Sequence, residues 1–249
     1  MRAFTFQGLP SRVVFGEGSL DRLADEVARL GCANVLVLST PEQRGTAEDV
    51  AARLGPRAVG IHAEAVMHVP VEVAHAACDE TQRLGADCCV AVGGGSTIGL
   101  GKAIALELGL PVVAVPTTYA GSEMTPIWGL TEGAVKRTGR DLKVLPRTVI
   151  YDPLLTLTLP PALSATSGMN AIAHSVEALY AEDANPIVSL MAEESIKALA
   201  QALPEIVERP RDLGARAKAQ YGCWLAGYAL GSVGMALHHK LCHTLGGTQ

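Results

Sequence analysis

Four short runs in the first 151 residues carry almost no polar side chains: VLVLS (35–39), CCVAV (88–92), VVAV (112–115) and RTVIY (147–151). A strand with one wet face alternates polar and apolar residues, whereas a strand apolar throughout is buried on both faces. Helical patterns separate these runs, at 18–30 (GSLDRLADEVARL), 46–54 and 71–84, with Gly31 and Gly85 where helix C-caps belong. Short buried strands alternating with helices imply a mostly parallel sheet covered on both sides. From Leu159 the character changes: LPPALSATSG reads as a Pro/Gly/Ser-rich joint, and the remainder of the chain reads as helix after helix. The expected organisation is an α/β domain over 1–159 and an all-α domain over 160–249.

Composition excludes several classes of function. A net charge of −5 gives no broad basic field for nucleic acid, and 4% aromatic residues give no stacking platform for bases. With 49% apolar residues in 249, a sizeable core is available. The six cysteines (Cys32, Cys78, Cys88, Cys89, Cys223, Cys242) show no regular spacing, which suits a reducing, cytoplasmic location. Cys88 and Cys89 sit inside a strand pattern and read as small core residues. No signal peptide or membrane span is expected. The uncharged stretch YGCWLAGYALGSVGMAL is glycine-rich and reads as a buried soluble helix, with Gly227 and Gly231 suggesting the close packing of a G-x-x-x-G contact.

The α/β half carries an anion-binding signal. The strand CCVAV runs into GGGSTIGLGKAIAL, so Gly93, Gly94 and Gly95 bring bare backbone to the start of a helix, where free N–H groups and the helix dipole favour a phosphate. The next strand ends in PTTYAGSEMTP, whose Thr117, Thr118 and Ser122 place hydroxyls where open α/β sheets bind ligands. Two such loops on consecutive strands predict a nucleotide cleft.

Two helical segments carry a second signal. In GMNAIAHSVEALYA, Asn170 and His174 are four apart; in GMALHHKLCHTLGG, His239 and His243 are four apart. Residues at i and i+4 share a helix face, so each segment aims two polar groups one way, as metal and acid/base sites require. The alternative is a pair of buried structural histidines. His238 is one residue off that face, and Cys242 lies about 100° round the helix from His243.

In order along the chain, GGGS, PTT…GSE, a DP after a strand, G-x-N-A-x-x-H-x-x-E and H-x-x-x-H-x-L-G-G resemble the iron-containing alcohol dehydrogenase superfamily over essentially the whole sequence. The longer stretches PTTYAGSEMTPIWG, LPRTVIYDP, SGMNAIAHSVEALYA and GMALHHKLCHTLGG are most similar to its maleylacetate reductase group. The resemblance implies reduction of the C=C bond of maleylacetate, a small dicarboxylate, to 3-oxoadipate in the degradation of aromatic compounds. It implies a dinucleotide-binding first domain, with the site in the cleft between the domains, NADH or NADPH as cofactor, and a homodimer. It also implies that relatives run about a hundred residues beyond Gln249, so that the helical domain is truncated relative to the family.

The resemblance assigns roles. Gly94, Gly95 and Ser96 meet the pyrophosphate; Thr117, Thr118 and Ser122 lie along the adenosine and ribose; Lys136 lies near the nicotinamide ribose, or else is an exposed hairpin lysine in EGAVKRTGR. Ser39 and Thr40 stand where NAD-specific relatives often carry Asp, and hydroxyls neither grip both ribose oxygens nor repel a 2′-phosphate, so both cofactors are expected. His243 is the first choice for proton donor and His239 the second, with His174 and Asn170 completing the site. Tyr119, in place of a small residue, and Lys240 are expected on the substrate. Metal-using relatives carry Asp at Asn170 as a ligand, and Gly99 also stands where the wider family has Asp. An amide is a poor exchange for a hard anionic ligand, so no tightly bound metal is expected. The competing readings are a metal-dependent alcohol or polyol dehydrogenase and a non-catalytic nucleotide-binding relative.

Overall fold

A computed structural model describes residues 3–133 and 135–234. They form two compact units, one of Ser11–Thr117 with Pro126–Asp152, the other of 3–10, Thr118–Thr125 and 153–234. The first unit contains β1 (Arg12–Phe15), α1 (Leu23–Arg29), β2 (Val35–Leu38), α2 (Arg44–Leu54), β3 (Ala58–His62), α3 (Val71–Arg83), β4 (Cys88–Gly93), α4 (Gly95–Leu108), β5 (Val112–Pro116), β6 (Ile127–Glu132), β7 (Val135–Arg140) and β8 (Thr148–Tyr151). Six strands make one sheet in the order β1-β8-β5-β4-β2-β3, every pairing parallel, and β6 and β7 form a separate antiparallel pair.

The expected parallel sheet is present, and every residue of β2, β4, β5 and β8 is buried. Cys88 and Cys89 are fully enclosed, in keeping with their reading as core residues. β1 and β3 are not expected from the sequence, and the β6–β7 pair is anticipated only as the hairpin of EGAVKRTGR. These strands are partly or largely exposed and lack the uniform apolar signature. The periodic stretch 18–30 divides into a 3-10 turn, Ser19–Arg22, and the shorter α1. Gly31 (φ 75°) and Gly85 (φ 64°) take the left-handed conformation that ends α1 and α3.

One ion-pair network fixes the β1 edge. Arg12 Nε and Arg29 Nε donate to Glu26 Oε2 at 2.9 and 3.0 Å, and Arg29 Nη2 donates to Thr148 Oγ1 at 2.8 Å, joining β1, α1 and β8. Burial works to raise the Glu26 carboxyl, but the bonds and charges of Arg12 and Arg29 outweigh it and hold the group below the usual carboxylate range.

The second unit is built on α5 (Pro161–Tyr180), α6 (Pro186–Glu208) and α7 (Leu213–Gly231). The stretch read as a joint, LPPALSATSG, instead supplies the first turns of α5 from Pro161. Pro161 suits a first helical position, and the hydroxyls that suggested a loop bond back into the helix: Thr166 Oγ1 donates to Ala162 O at 3.0 Å and Ser167 Oγ to Leu163 O at 2.7 Å. Asn185 Oδ1 caps α6, accepting from Ile187 N and Val188 N at 3.2 Å, and Asp212 Oδ1 caps α7, accepting from Ala215 N at 2.9 Å. Glycine sets the helix spacing: a Cβ on Gly168 would lie 2.5 Å from Leu203, and one on Gly222 would lie 2.7 Å from Leu199. A buried hydroxyl chain crosses the bundle, with Ser175 Oγ donating to Ser195 Oγ (2.8 Å) and Ser195 Oγ to Gly222 O (2.7 Å).

Gly227 and Gly231 pack closely as expected, but against a loop rather than another helix. A Cβ on Gly227 would stand 2.1 Å from Gly121 O, and one on Gly231 would stand 2.7 Å from Met124 O. Among the described residues no helix is long and apolar enough to cross a membrane.

The Glu26 network predicts a pH signature. A carboxyl whose folded pKa is depressed stabilises fully above its unfolded value, near 4.3, and loses that contribution as pH falls through the folded value. Glu26→Gln should cost about 1–2 kcal/mol at pH 7, a magnitude limited by the half-exposed arginines. The gap between variant and wild type in denaturant melts should shrink below about pH 4. A gap independent of pH would show that Glu26 acts by packing alone.

Candidate functional site

In the α/β unit, β3 lies on one side of β2 and β4 on the other, so the chain's crossovers diverge between β2 and β4. At such a divergence the loops after the strands part and leave a crevice at their C-terminal ends. Ser39 and Thr40 follow β2, Gly93–Ser96 join β4 to α4, and Thr117 follows β5. The sheet thus brings together these predicted residues, which span nearly eighty positions of sequence.

Gly93 turns at φ 155°, a conformation L side chains rarely adopt, and a Cβ there would lie 2.4 Å from Thr97 Oγ1 and 2.8 Å from Gln43 Oε1. Gly94 is the N-cap of α4 and no side chain caps it, so the first-turn N–H groups remain open to a ligand. A Cβ on Gly95 would meet no heavy atom within 4 Å. The two glycines therefore serve different ends: Gly93 is demanded by protein packing, whereas the space above Gly95 is open. Ser96 is half-buried at the same helix start.

Ser39 is fully enclosed. Its N–H donates to His62 O and its carbonyl accepts from Ala65 N, both at 3.0 Å, while its Oγ has no partner among the described residues. Thr40 is half-exposed and leads into a 3-10 turn, Pro41–Gln43. Glu42 is exposed, and its carboxyl is held below the usual range by its own backbone N–H and by the Thr40 hydroxyl. This carboxylate beside Thr40 escapes a search confined to the position directly after β2.

Gly99 is filled rather than vacant. A Cβ there would stand 2.8 Å from Val69 Cγ2, and Val69 belongs to a left-handed pair, His68 (φ 65°) and Val69 (φ 44°). Thr131 grips that pair through Thr131 Oγ1 to His68 O (2.9 Å) and Thr131 N to Val69 O (3.1 Å). An aspartate at Gly99 would displace Val69. Lys136 is exposed on β7. Buried Lys102, on α4, donates to Ile127 O at 2.8 Å and anchors the β6–β7 pair.

In the helical unit, Asn170 and His174 lie one turn apart on α5, Asn170 exposed and His174 buried. His239, Lys240 and His243 lie outside the described residues. On α5 the donor set offers an amide and an imidazole but no carboxylate at Asn170, which does not fit a hard divalent ion.

The loop Thr118–Thr125 packs within this unit. Thr118 is half-buried, and half-buried Ser122 opens a 3-10 turn, Ser122–Met124. Tyr119 is fully buried. Its N–H donates to Ser167 Oγ at 3.4 Å and its hydroxyl accepts from Arg216 Nη1 at 3.2 Å. Arg216 is also fully buried, donating in addition to Ser164 Oγ (2.8 Å), Leu159 O (2.9 Å) and Pro210 O (3.0 Å). Burial raises the Tyr119 hydroxyl pKa, with Thr156 and Arg216 pulling the other way. Cys223 Sγ donates to Glu123 Oε1 at 3.5 Å, and burial together with that carboxylate pushes the thiol well above its ordinary range. No local sequence signal marks Arg216 or Glu123 as loop anchors, because their partners lie about a hundred residues away.

Known proteins match this chain in both of its parts. The model of the iron-containing alcohol dehydrogenase family matches residues 10–153, and that of its C-terminal region matches 164–249. The chain is 62% identical over 245 residues to a maleylacetate reductase of Sphingobium indicum, covering 98% of this chain and 69% of that one. It superposes with a TM-score of 0.97 on the crystal structure of maleylacetate reductase from Agrobacterium tumefaciens, at 56% identity, covering 100% of this chain and 71% of that one. A sulfoacetaldehyde reductase from Bifidobacterium kashiwanohense, solved in complex with NAD+, shares the fold at 23% identity and a TM-score of 0.87, covering 92% of this chain and 67% of that one. With both regions of the family matched in order, the chain belongs to the iron-containing alcohol dehydrogenase family.

Proposed function

We propose that this chain reduces the conjugated C=C bond of maleylacetate to give 3-oxoadipate, with NADH or NADPH as reductant. The 62% identity to a maleylacetate reductase over 98% of the chain carries the reading. Asn170 in place of a ligating carboxylate supports it, because it sets this site apart from metal-using alcohol dehydrogenases.

The chemistry suits such a site. In metal-using dehydrogenases a Lewis acid polarises a simple carbonyl, whereas an alkene conjugated to a ketone is already an electrophile. The bound cofactor supplies a hydride to the alkene carbon β to the ketone. The π electrons move onto the ketone oxygen as an enolate, and a proton delivered to the α carbon restores the ketone. The protein must therefore hold the cofactor, stabilise an oxyanion and give one proton. The open N–H groups of Gly95 and Ser96 suit the pyrophosphate, with Thr117, Thr118 and Ser122 along the adenosine and ribose and Lys136 toward the nicotinamide ribose. The amide of Asn170 and the imidazole of His174 are donors suited to an enolate. His243 is assigned the proton transfer, with His239 second, and Lys240 is assigned to a substrate carboxylate. Acceptance of both cofactors rests on the hydroxyl residues after β2, of which Thr40 is half-exposed and Ser39 enclosed.

A spectrophotometric assay of NADH oxidation with maleylacetate tests the reading, the product being identified as 3-oxoadipate. Activity should survive exhaustive chelation. Loss on chelation, restored by Fe²⁺ or Zn²⁺, would replace it with the metal-dependent alcohol dehydrogenase reading, and NADH binding without turnover would leave a nucleotide-binding protein.

Gly95→Ala gives a finer test of the phosphate loop. Its Cβ enters open space, so stability should stay within about 0.5 kcal/mol of wild type. The methyl group should crowd the pyrophosphate and weaken NADH binding at least roughly tenfold. Unchanged NADH affinity would move the phosphates away from α4. In His243→Ala, kcat should fall by about 10²–10⁴ with NADH affinity preserved; retention of kcat would shift the proton transfer to another group.

A further inference from the structure

We propose that Gln43 is a positioning residue for the cofactor, acting through Thr117; this rests on the reading of the loops after β4 and β5 as the cofactor site. Gln43 ends the 3-10 turn that follows β2. Its Nε2 donates to Thr117 Oγ1 at 2.8 Å. Its Oε1 lies against Gly93, 2.8 Å from where a Cβ would stand. Thr117 N donates to Gly93 O at 3.1 Å and closes the circuit. One partly exposed amide therefore links the C-terminal ends of three strands, β2, β4 and β5, at the point where the crossovers diverge.

The chemical consequence lies in the direction of the hydrogen bonds. A threonine hydroxyl has one proton and two lone pairs. Because Gln43 donates to Thr117 Oγ1, the proton of Thr117 is not consumed in that contact. The hydroxyl has no other partner among the described residues, so its proton is available to an acceptor on the ligand. Gln43 thus sets Thr117 as a donor toward phosphate or ribose oxygens. The bare Cα of Gly93 provides the room: any side chain there would strike both Gln43 Oε1 and Thr97 Oγ1. Gln43 itself is a lone polar residue in a surface turn, with no motif around it.

The test uses the whole chain and reads NADH affinity by fluorescence, kcat with saturating NADH, and thermal stability. Gln43→Leu removes the donor and frees the Thr117 hydroxyl. The NADH Kd should rise about fivefold to tenfold, the scale of one hydrogen bond, while saturated kcat stays within about twofold. Gln43→Glu replaces the donor with an acceptor that claims the Thr117 proton, and should weaken binding more than Gln43→Leu. Gln43→Asn keeps the amide but is one methylene short, and should resemble Gln43→Leu. In the Thr117→Val background, Gln43→Leu should add almost nothing to the Kd, because its effect runs through the hydroxyl. The proposal is overturned if Gln43→Leu has the same effect with and without Thr117→Val, or if the variants lose thermal stability with no change in Kd. A wild-type chain that binds no NADH would overturn the cofactor reading and this proposal together; wild-type binding with unaltered variants overturns this proposal alone.

Discussion

Parallel strands leave all their C-terminal ends on one edge of a sheet, and the chain can leave that edge in opposite directions at only a few places. Here the divergence falls between β2 and β4, and the assigned phosphate loop and Ser39 lie on its two sides. The rest of the α/β unit supports this arrangement. Buried strands fix the height at which each loop emerges, and Gly93 lets β4 turn sharply enough for α4 to begin with its N–H groups uncapped. A side chain at Gly93 would strike Thr97 and Gln43, so the turn and the circuit through Thr117 depend on the same missing Cβ.

The helical unit relies on small residues in a different way. Glycines on α7 admit the backbone of Gly121 and Met124 to distances no Cβ allows, so the loop after Thr117 is pressed against a helix. Buried polar groups then hold it there: Arg216 directs its donors to Tyr119, Ser164 and two carbonyls, and Glu123 accepts from Cys223. A buried guanidinium is costly unless its donors are met, and four named bonds meet four of its five N–H groups here. Tyr119 is consequently enclosed, its hydroxyl directed at Arg216.

On the proposed reading, the amide at Asn170 stands where a hard divalent ion would want a carboxylate, and a substrate whose alkene is conjugated to a ketone is already an electrophile without one. Gly99 shows a related use of space: its missing side chain seats Val69, held in a left-handed turn by Thr131. Positive φ at two non-glycine residues is uncommon, and here tertiary contacts enforce it.

The sequence by itself determined the parts that depend on local pattern. Uniformly apolar runs imply strands buried on both faces, and GGGS before a helix implies an uncapped N-terminus; both are present, since each arises from neighbouring residues alone. Asn170 and His174 are legible as a pair because a helix repeats every 3.6 residues. Local pattern misleads where the chemistry is ambiguous. LPPALSATSG has the composition of a loop, yet its hydroxyls bond back into α5 once the helix packs. The partly or largely exposed strands β1, β3, β6 and β7 lack the uniform apolar run that marks the buried ones, and the pairings that make them strands are set by the fold. Only tertiary structure decided that Gln43 meets Thr117, that Arg216 meets Tyr119, and that Gly227 and Gly231 face a loop. Each of these contacts joins residues roughly seventy to over a hundred positions apart, and no periodicity in the chain encodes a meeting at that range.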